Sequence, residues 1–442
     1  MEYSTRSSSK RETARYSLID TCVDILTYVP RREAIGRYPN QGLTLHWGSD
    51  PPPRGSDAEY VLLDTPDRAV TSGTLYRPAR EARGVVTITH PRVDVSTHYL
   101  VPHLLRAGWA VWTQRTRSVN NDLMCVHEQL LIDVAVAHRW LCDQGLEDQW
   151  LLGNSGGASL YCLYLQQAAR DEDERLARAP SGLPVDLTLQ MPPARGLVLL
   201  APHPGQGDLL LHCIDPAVAD ESDPLSVVPE LDLFDPGNGF REAPESSAFS
   251  PEFLAAYRAG QLARVARVDE HAHELVRRRQ AARKLAREQH DVAARREAIA
   301  PRYIVVYRTD ADPRTIDLSL DPSSRDYGSI IGRRPDLTNY GHAGFGRLTT
   351  PDAWLSTWSG LSTNAALRKT APDIAAPTLL VGFDADNSVF PSQLTEIHEA
   401  IGSVEKDWVT VHGDHFGFIS GTDDRSPGKE AAAAIIDWLR DA

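Results

Sequence analysis

Short, almost wholly apolar runs alternate with longer segments whose apolar residues recur at helical spacing, and this alternation organises most of the chain. Residues 84–90, 109–114, 150–153 and 196–201 read as strands buried on both faces, and residues 97–107, 122–142 and 158–169 as the helices between them. The pattern returns near the C-terminus. There a strand at 377–383, a helix, a last strand at 408–413 and an amphipathic helix at 431–439 close the chain. Strands separated by helices of this length need right-handed crossovers, so the expected fold class is α/β, a doubly wound and mostly parallel sheet with helices on both faces. Ahead of it, runs at 60–63 and 70–76, split by the Thr65-Pro66-Asp67 turn, predict an antiparallel pair at the sheet edge.

Between residues 203 and 374 the alternation stops. The chain then divides into an N-terminal extension (1–58), a first core part (59–202), an insertion (203–374) and a second core part (375–442). In the extension, residues 1 to about 15 read as a disordered arm and residues 16–26 as an amphipathic helix. The insertion reads as a mainly helical cap over the carboxyl edge of the sheet. Its arginine-rich stretch from Pro251 to about Ala300 is interspersed with Asp and Glu, which suits a solvated helix face better than a nucleic-acid patch. Residues 303–309 and 315–320 predict a hairpin, and Tyr340, Phe345, Trp354 and Trp358 supply aromatic bulk.

Composition bounds the rest. The 442 residues, 42% hydrophobic and 24% charged, suit one large globular core with one insert. A net charge of -14 argues against nucleic acid or an anionic membrane as the main partner and leaves a small-molecule substrate as the expected one. The five cysteines are scattered and form no Cys-x-x-Cys pair, so buried free thiols are expected. No apolar run has the length of a signal peptide or a membrane span, and the expected location is the cytoplasm. A homodimer stays open.

The candidate chemistry lies at Gly153-Asn154-Ser155-Gly156-Gly157, a Gly-x-Ser-x-Gly turn entered from an apolar strand and left as a small-residue helix. Such a turn lifts a serine above the sheet edge, and the opening of the helix offers N–H donors to an oxyanion. Downstream, Asp384 and Asp386 follow one strand and His415 follows the last, so all three reach the carboxyl edge where α/β sheets bind ligands. A serine needs an imidazole to take its proton, and the imidazole needs a carboxylate.

The sequence resembles the serine α/β-hydrolases with a large cap, over about residues 59–202 and 375–442. Four signatures in family order carry the resemblance: His90-Pro91-Arg92, the Gly153–Gly157 turn, the Gly382 to Pro391 loop and Asp414-His415-Phe416. The resemblance implies Ser155 as nucleophile, His415 as base and Asp386, followed by Val389 and Pro391, as the acid ahead of its rival Asp384. It also implies an oxyanion hole from the backbone N–H of Gly156 and one loop donor. Because Pro91 has no N–H, that donor falls to Arg92. His412, inside the last strand, is expected to face the core or the helix layer, and His127-Glu128 lacks the second histidine of a metalloprotease motif.

Substrate contacts are expected from His90, Arg115, His203, Trp354 and Trp358. The cluster of Arg115, Arg117, Asn120, Asn121 and Asp122 either positions substrate or caps a helix, with capping favoured for Asn121 or Asp122. The aromatic residues either line the site or pack the cap. The expected activity is hydrolysis of a carboxylic ester or lactone of a small to medium, apolar or aromatic substrate, without metal or organic cofactor. The alternatives are an amidase, thioesterase, acyltransferase or carbon–carbon hydrolase using the same residues, and a non-catalytic ligand-binding member of the fold.

Overall fold

The computed structural model describes Leu45, His46 and residues 50–441. The expected N-terminal arm and the helix at 16–26, with Cys22, lie outside the described residues. Eight strands form one sheet: β1 (Asp57–Asp64), β2 (Val70–Arg77), β3 (Val85–His90), β4 (Ala110–Arg115), β5 (Gln149–Asn154), β6 (Gly196–Leu200), β7 (Thr378–Phe383) and β8 (Lys406–Val411). Their spatial order is β1-β2-β4-β3-β5-β6-β7-β8. β2 runs antiparallel to β1 and to β4, and every other pairing is parallel. The longer helices are α1 (Val101–Arg106), α2 (His127–Asp143), α3 (Gly156–Ala168), α4 (Gln206–Cys213), α5 (Pro251–Gln289), α6 (Val292–Ile299), α7 (Pro391–Ala400) and α8 (Ser426–Asp441).

The central strands are apolar throughout because both faces are covered. Leu152, Val198, Leu200 and Val381 turn toward the cluster holding residues of α1 and α8, whereas their neighbours Leu151, Leu197, Leu199 and Leu380 turn toward that of α2, α3 and α7. This alternation is the period of two along a strand. Each such side chain, fully buried, contributes roughly 1.5–3 kcal/mol.

Several boundaries differ from expectation for local reasons. α1 begins at Val101, with Pro102 in its first turn, where the missing N–H costs nothing. The helix expected at 122–142 is split into a 3₁₀ turn at Asp122–Met124 and α2, with Cys125 and Val126 extended between them. The charged stretch is likewise two helices, parted at His290, whose φ is 52°.

The hairpin expected at 303–309 and 315–320 does not form. Ile304–Val305 pairs instead with Leu348–Thr349, and Pro313–Thr315 is a 3₁₀ turn with Pro313 at its start. The segment between β6 and β7 packs against the core helices, residues 354–358 against α2 and residues 367–370 against α3. From α5, Val265, Val268, Ala272 and Val276 are buried at helical spacing. The first three belong to the same apolar cluster as Ile88 and Val198 of the sheet. On its outer face Arg277 pairs with Glu270 and Glu274. Among the described residues no helix is long and apolar enough to cross a membrane.

Candidate active site

β5 ends at Asn154 and α3 begins at Gly156, so Ser155 is the whole turn between them. It holds φ 53° and ψ −116°, a conformation that costs a non-glycine residue roughly 1–3 kcal/mol and persists only under constraint. The constraint is visible. Ser155 N–H donates to Leu200 O of β6 at 2.9 Å. A Cβ at Gly157 would lie 2.1 Å from Thr89 O, so a glycine lets α3 close onto β3.

His415 and Asp386 arrive on the loops that leave β8 and β7. The His415 Nε2 lies 3.0 Å from Ser155 Oγ, and its Nδ1 lies 2.6 Å from Asp386 Oδ2. The Asp386 carboxylate is 1% exposed, and its other oxygen accepts the backbone N–H of Ser388 (2.6 Å) and Val389 (3.0 Å). Asp414 fixes the turn that presents His415, accepting the N–H of Phe416 and Phe418. Burial opposes the His415 imidazolium, but the adjacent Asp386 charge and hydrogen bond outweigh it and raise the pKa above 6.5.

A strained serine turn follows the fifth strand, a buried carboxylate follows the seventh and an imidazole joining the two follows the eighth, all on one edge of a sheet ordered β1-β2-β4-β3-β5-β6-β7-β8. The fold is that of an α/β hydrolase. No family model matches the chain, and no curated protein matches its sequence. Solved α/β-hydrolase structures do match. The α/β hydrolase GrgF from Penicillium sp. sh18 is 14% identical, with 87% of this chain and 98% of that one covered and a TM-score of 0.45. The esterase domain of a Rhodothermus marinus protein is 10% identical, with 87% and 98% covered and a TM-score of 0.41. For the monoacylglycerol lipase of Paleococcus ferrophilus the identity is 16%, the coverage 87% and 98% and the TM-score 0.36.

Within this fold, Asp384 serves a different partner from Asp386. Its Oδ1 lies 2.8 Å from His412 Nδ1 and its Oδ2 accepts the Ser324 hydroxyl at 3.1 Å. His412 lies just past β8 and its side chain is 64% exposed, so it does not face the core or the helix layer as expected. The β8 edge strand leaves that side open to water.

The loop after β3 differs from expectation in a way that matters chemically. The N–H of Arg92, expected to meet an oxyanion, donates to His90 Nδ1 at 3.0 Å, as does that of Val93 at 2.9 Å. The loop carbonyls are also engaged. Pro91 O accepts the hydroxyls of Thr116 and Ser118, and Arg92 O accepts Asn120 N–H. The Arg92 guanidinium pairs with both Asp122 oxygens and lies 4.5 Å above the Trp358 ring. Asp122 is therefore occupied as an ion-pair partner, and Asn121 makes no side-chain cap bond.

A small cavity opens at Ser155. Its apolar lining is Leu45, Val93, Leu209, Ile330, Phe345 and Phe416, and its polar lining includes His90, Arg92, His203, Gln206 and His415. His90 and His203 thus reach the site, but three other expected contacts do not. Arg115 pairs with Asp94 at 3.2 Å outside the cavity. Trp354 is fully buried with its Nε1 on Asp269 Oδ1 at 2.7 Å, and Trp358 is fully buried beneath Arg92. Both tryptophans pack the interior, where large apolar rings gain most.

His127 and Glu128 are also internal, bonded to Thr357 and to Ser356 and Asn364, and among the described residues no cluster of three or more metal-ligating side chains occurs. Gln206 was not expected. Its one sequence signal is its place, directly after the Pro204-Gly205 turn that follows β6 on the ligand-binding edge.

Proposed function

We propose that the chain is a serine-dependent hydrolase that cleaves a carboxylic ester or lactone through an acyl-enzyme on Ser155. The observation that carries this reading is the continuous path from Ser155 Oγ to His415 Nε2 (3.0 Å) and from His415 Nδ1 to Asp386 (2.6 Å). Ser155 Oγ attacks the acyl carbonyl while its proton passes to His415, and the carbonyl π pair moves onto oxygen. Collapse of this intermediate breaks the bond to the alcohol, which takes the proton from His415. Water then repeats the sequence in reverse, its proton going to His415, and the acid leaves as Ser155 recovers its hydrogen. Asp386 holds the ring orientation and supports the imidazolium.

The residues from the insertion, His203, Gln206, Leu209, Ile330 and Phe345, support its role as a cap that bounds the substrate. The apolar side chains that line the cavity favour an apolar or aromatic acyl or alcohol part. The test uses a fluorophosphonate and a panel of aryl esters, lactones, thioesters and amides. Labelling should map to Ser155, esters or lactones should turn over fastest, and Ser155→Ala should lower kcat about 10⁶-fold. A folded protein that neither labels nor turns over any member would refute the proposal.

A further inference from the structure

Acyl transfer at Ser155 needs donors aimed at the oxygen that becomes negative, and Gly156 at the start of α3 offers one backbone N–H. The loop after β3 offers no second one from Arg92 or Val93, since both N–H groups point onto the His90 ring. The same contact determines the ring's tautomer. An Nδ1 that accepts two N–H donors carries no proton, so in the neutral ring the proton sits on Nε2. Burial first, and the nearby Arg92 charge second, hold the His90 pKa well below 6.5, which keeps the ring neutral and its Nε2–H available as a donor.

Two side-chain donors meet at Gly156. A Cβ there would lie 2.9 Å from His90 Nε2 and 2.7 Å from Gln206 Nε2, so the absence of a side chain at 156 makes room for both. Gln206 is 2% exposed, and its Nε2 is buried without a hydrogen-bond partner. A buried amide donor is costly to leave unmet, and native proteins rarely do so without a use for it. His90, Ser155 and Gln206 all line the same cavity.

We propose that the oxyanion formed at Ser155 is held by side chains, the His90 Nε2–H and the Gln206 amide, acting with the Gly156 N–H in place of a second backbone donor. This rests on the reading of Ser155 as nucleophile. When the Ser155 Oγ–carbon bond forms and the π pair moves to oxygen, the neutral imidazole and amide donate to that oxygen and neither gives up its proton. The hole therefore carries no charge until the substrate brings one. His90 thereby becomes a catalytic residue with two tasks, since its Nδ1 holds the loop while its Nε2–H faces the substrate.

Two variants separate these tasks. His90→Asn keeps an oxygen able to accept the Arg92 and Val93 N–H groups but has no donor at the Nε2 position, and Gln206→Met keeps the side-chain volume without the amide. The readouts are the second-order rate of Ser155 labelling by a fluorophosphonate, whose phosphoryl oxygen occupies the oxyanion site, and kcat and KM on an aryl ester. Each variant should slow labelling and lower kcat by about 10²–10³-fold, with KM and the thermal midpoint close to the parent values. If His90→Asn does not fold, Gln206→Met decides alone. Parent-like labelling and kcat in the folded variants, or a change in KM alone, would overturn the side-chain oxyanion hole and leave Ser155 as nucleophile. Failure of the parent itself to label at Ser155 would remove both readings.

Discussion

Asp386 Oδ2 and His415 Nδ1 lie 2.6 Å apart, both side chains buried, while Asp384, two residues earlier, turns to the exposed His412. The two aspartates are alike in sequence context and differ in what they hold. Asp386→Asn should lower kcat on the order of 10⁴-fold, because an amide favours the wrong imidazole tautomer. Asp384→Asn should stay within a few-fold of the parent. Steady-state kinetics on one aryl ester checks both, and the opposite ranking would transfer the acid role.

The same contact sets the pH dependence. His415 must be neutral to accept the Ser155 proton, and its pKa is raised above 6.5 by Asp386 in spite of burial. The acid limb of kcat/KM should therefore fall above the pH of an ordinary histidine. In Asp386→Asn the charge that raises the pKa is gone and burial remains, so the limb should move to lower pH. A limb that stays in place would show that another group controls it.

Gly156 and Gly157 should respond differently to alanine. At 157 the new Cβ meets the Thr89 carbonyl at 2.1 Å, a backbone atom that cannot turn aside. Gly157→Ala should cost about 1–3 kcal/mol or more, read as a lower thermal midpoint. At 156 the obstacles are the Gln206 amide, the end of a flexible side chain that can turn aside, and the His90 ring, which the Arg92 and Val93 N–H groups hold. Gly156→Ala should lower the thermal midpoint less than Gly157→Ala does and lose activity.

Arg308 and Asp215 form a wholly buried pair, with Arg308 Nε on Asp215 Oδ2 at 2.9 Å and Asn339 Nδ2 on the same oxygen at 2.8 Å. Asp215→Ala leaves the guanidinium buried without its carboxylate and should cost about 3–5 kcal/mol in urea unfolding. Adding Arg308→Met should recover part of that loss. If the single and double variants are equally destabilised, the charge was not the cause.

The sheet and the serine turn were legible because each depends on a local pattern. Runs such as Leu197–Leu200 have only one buried use in this fold, and Ser155 needs only its flanking glycines to be recognised. What failed depended on distant partners. Ile304–Val305 found a strand more than forty positions away. The tryptophans at 354 and 358 carry the same composition whether they line a cavity or fill a core, and burial decided for the core. The role of Arg92 N–H turned on a side-chain acceptor two residues earlier, which spacing does not reveal. Gln206 is polar and isolated in sequence, and only its place beside Gly156 gives it meaning.

The apolar cluster that joins Val265, Val268, Trp354 and Trp358 of the insertion to Ile88 and Val198 of the sheet limits how substrate can enter. Swinging the insertion away would expose several large side chains at roughly 1.5–3 kcal/mol each, so a state with the whole insertion lifted would be sparsely populated. If the proposed function holds, admission to Ser155 should depend on side-chain rotations at the rim around Leu209, Ile330 and Phe345 and not on movement of the whole insertion. Removing residues 203–374 would leave α1 and α8 on that face of the sheet but uncover the apolar side chains that pack with Val265, Val268, Trp354 and Trp358, and the thermal midpoint should fall.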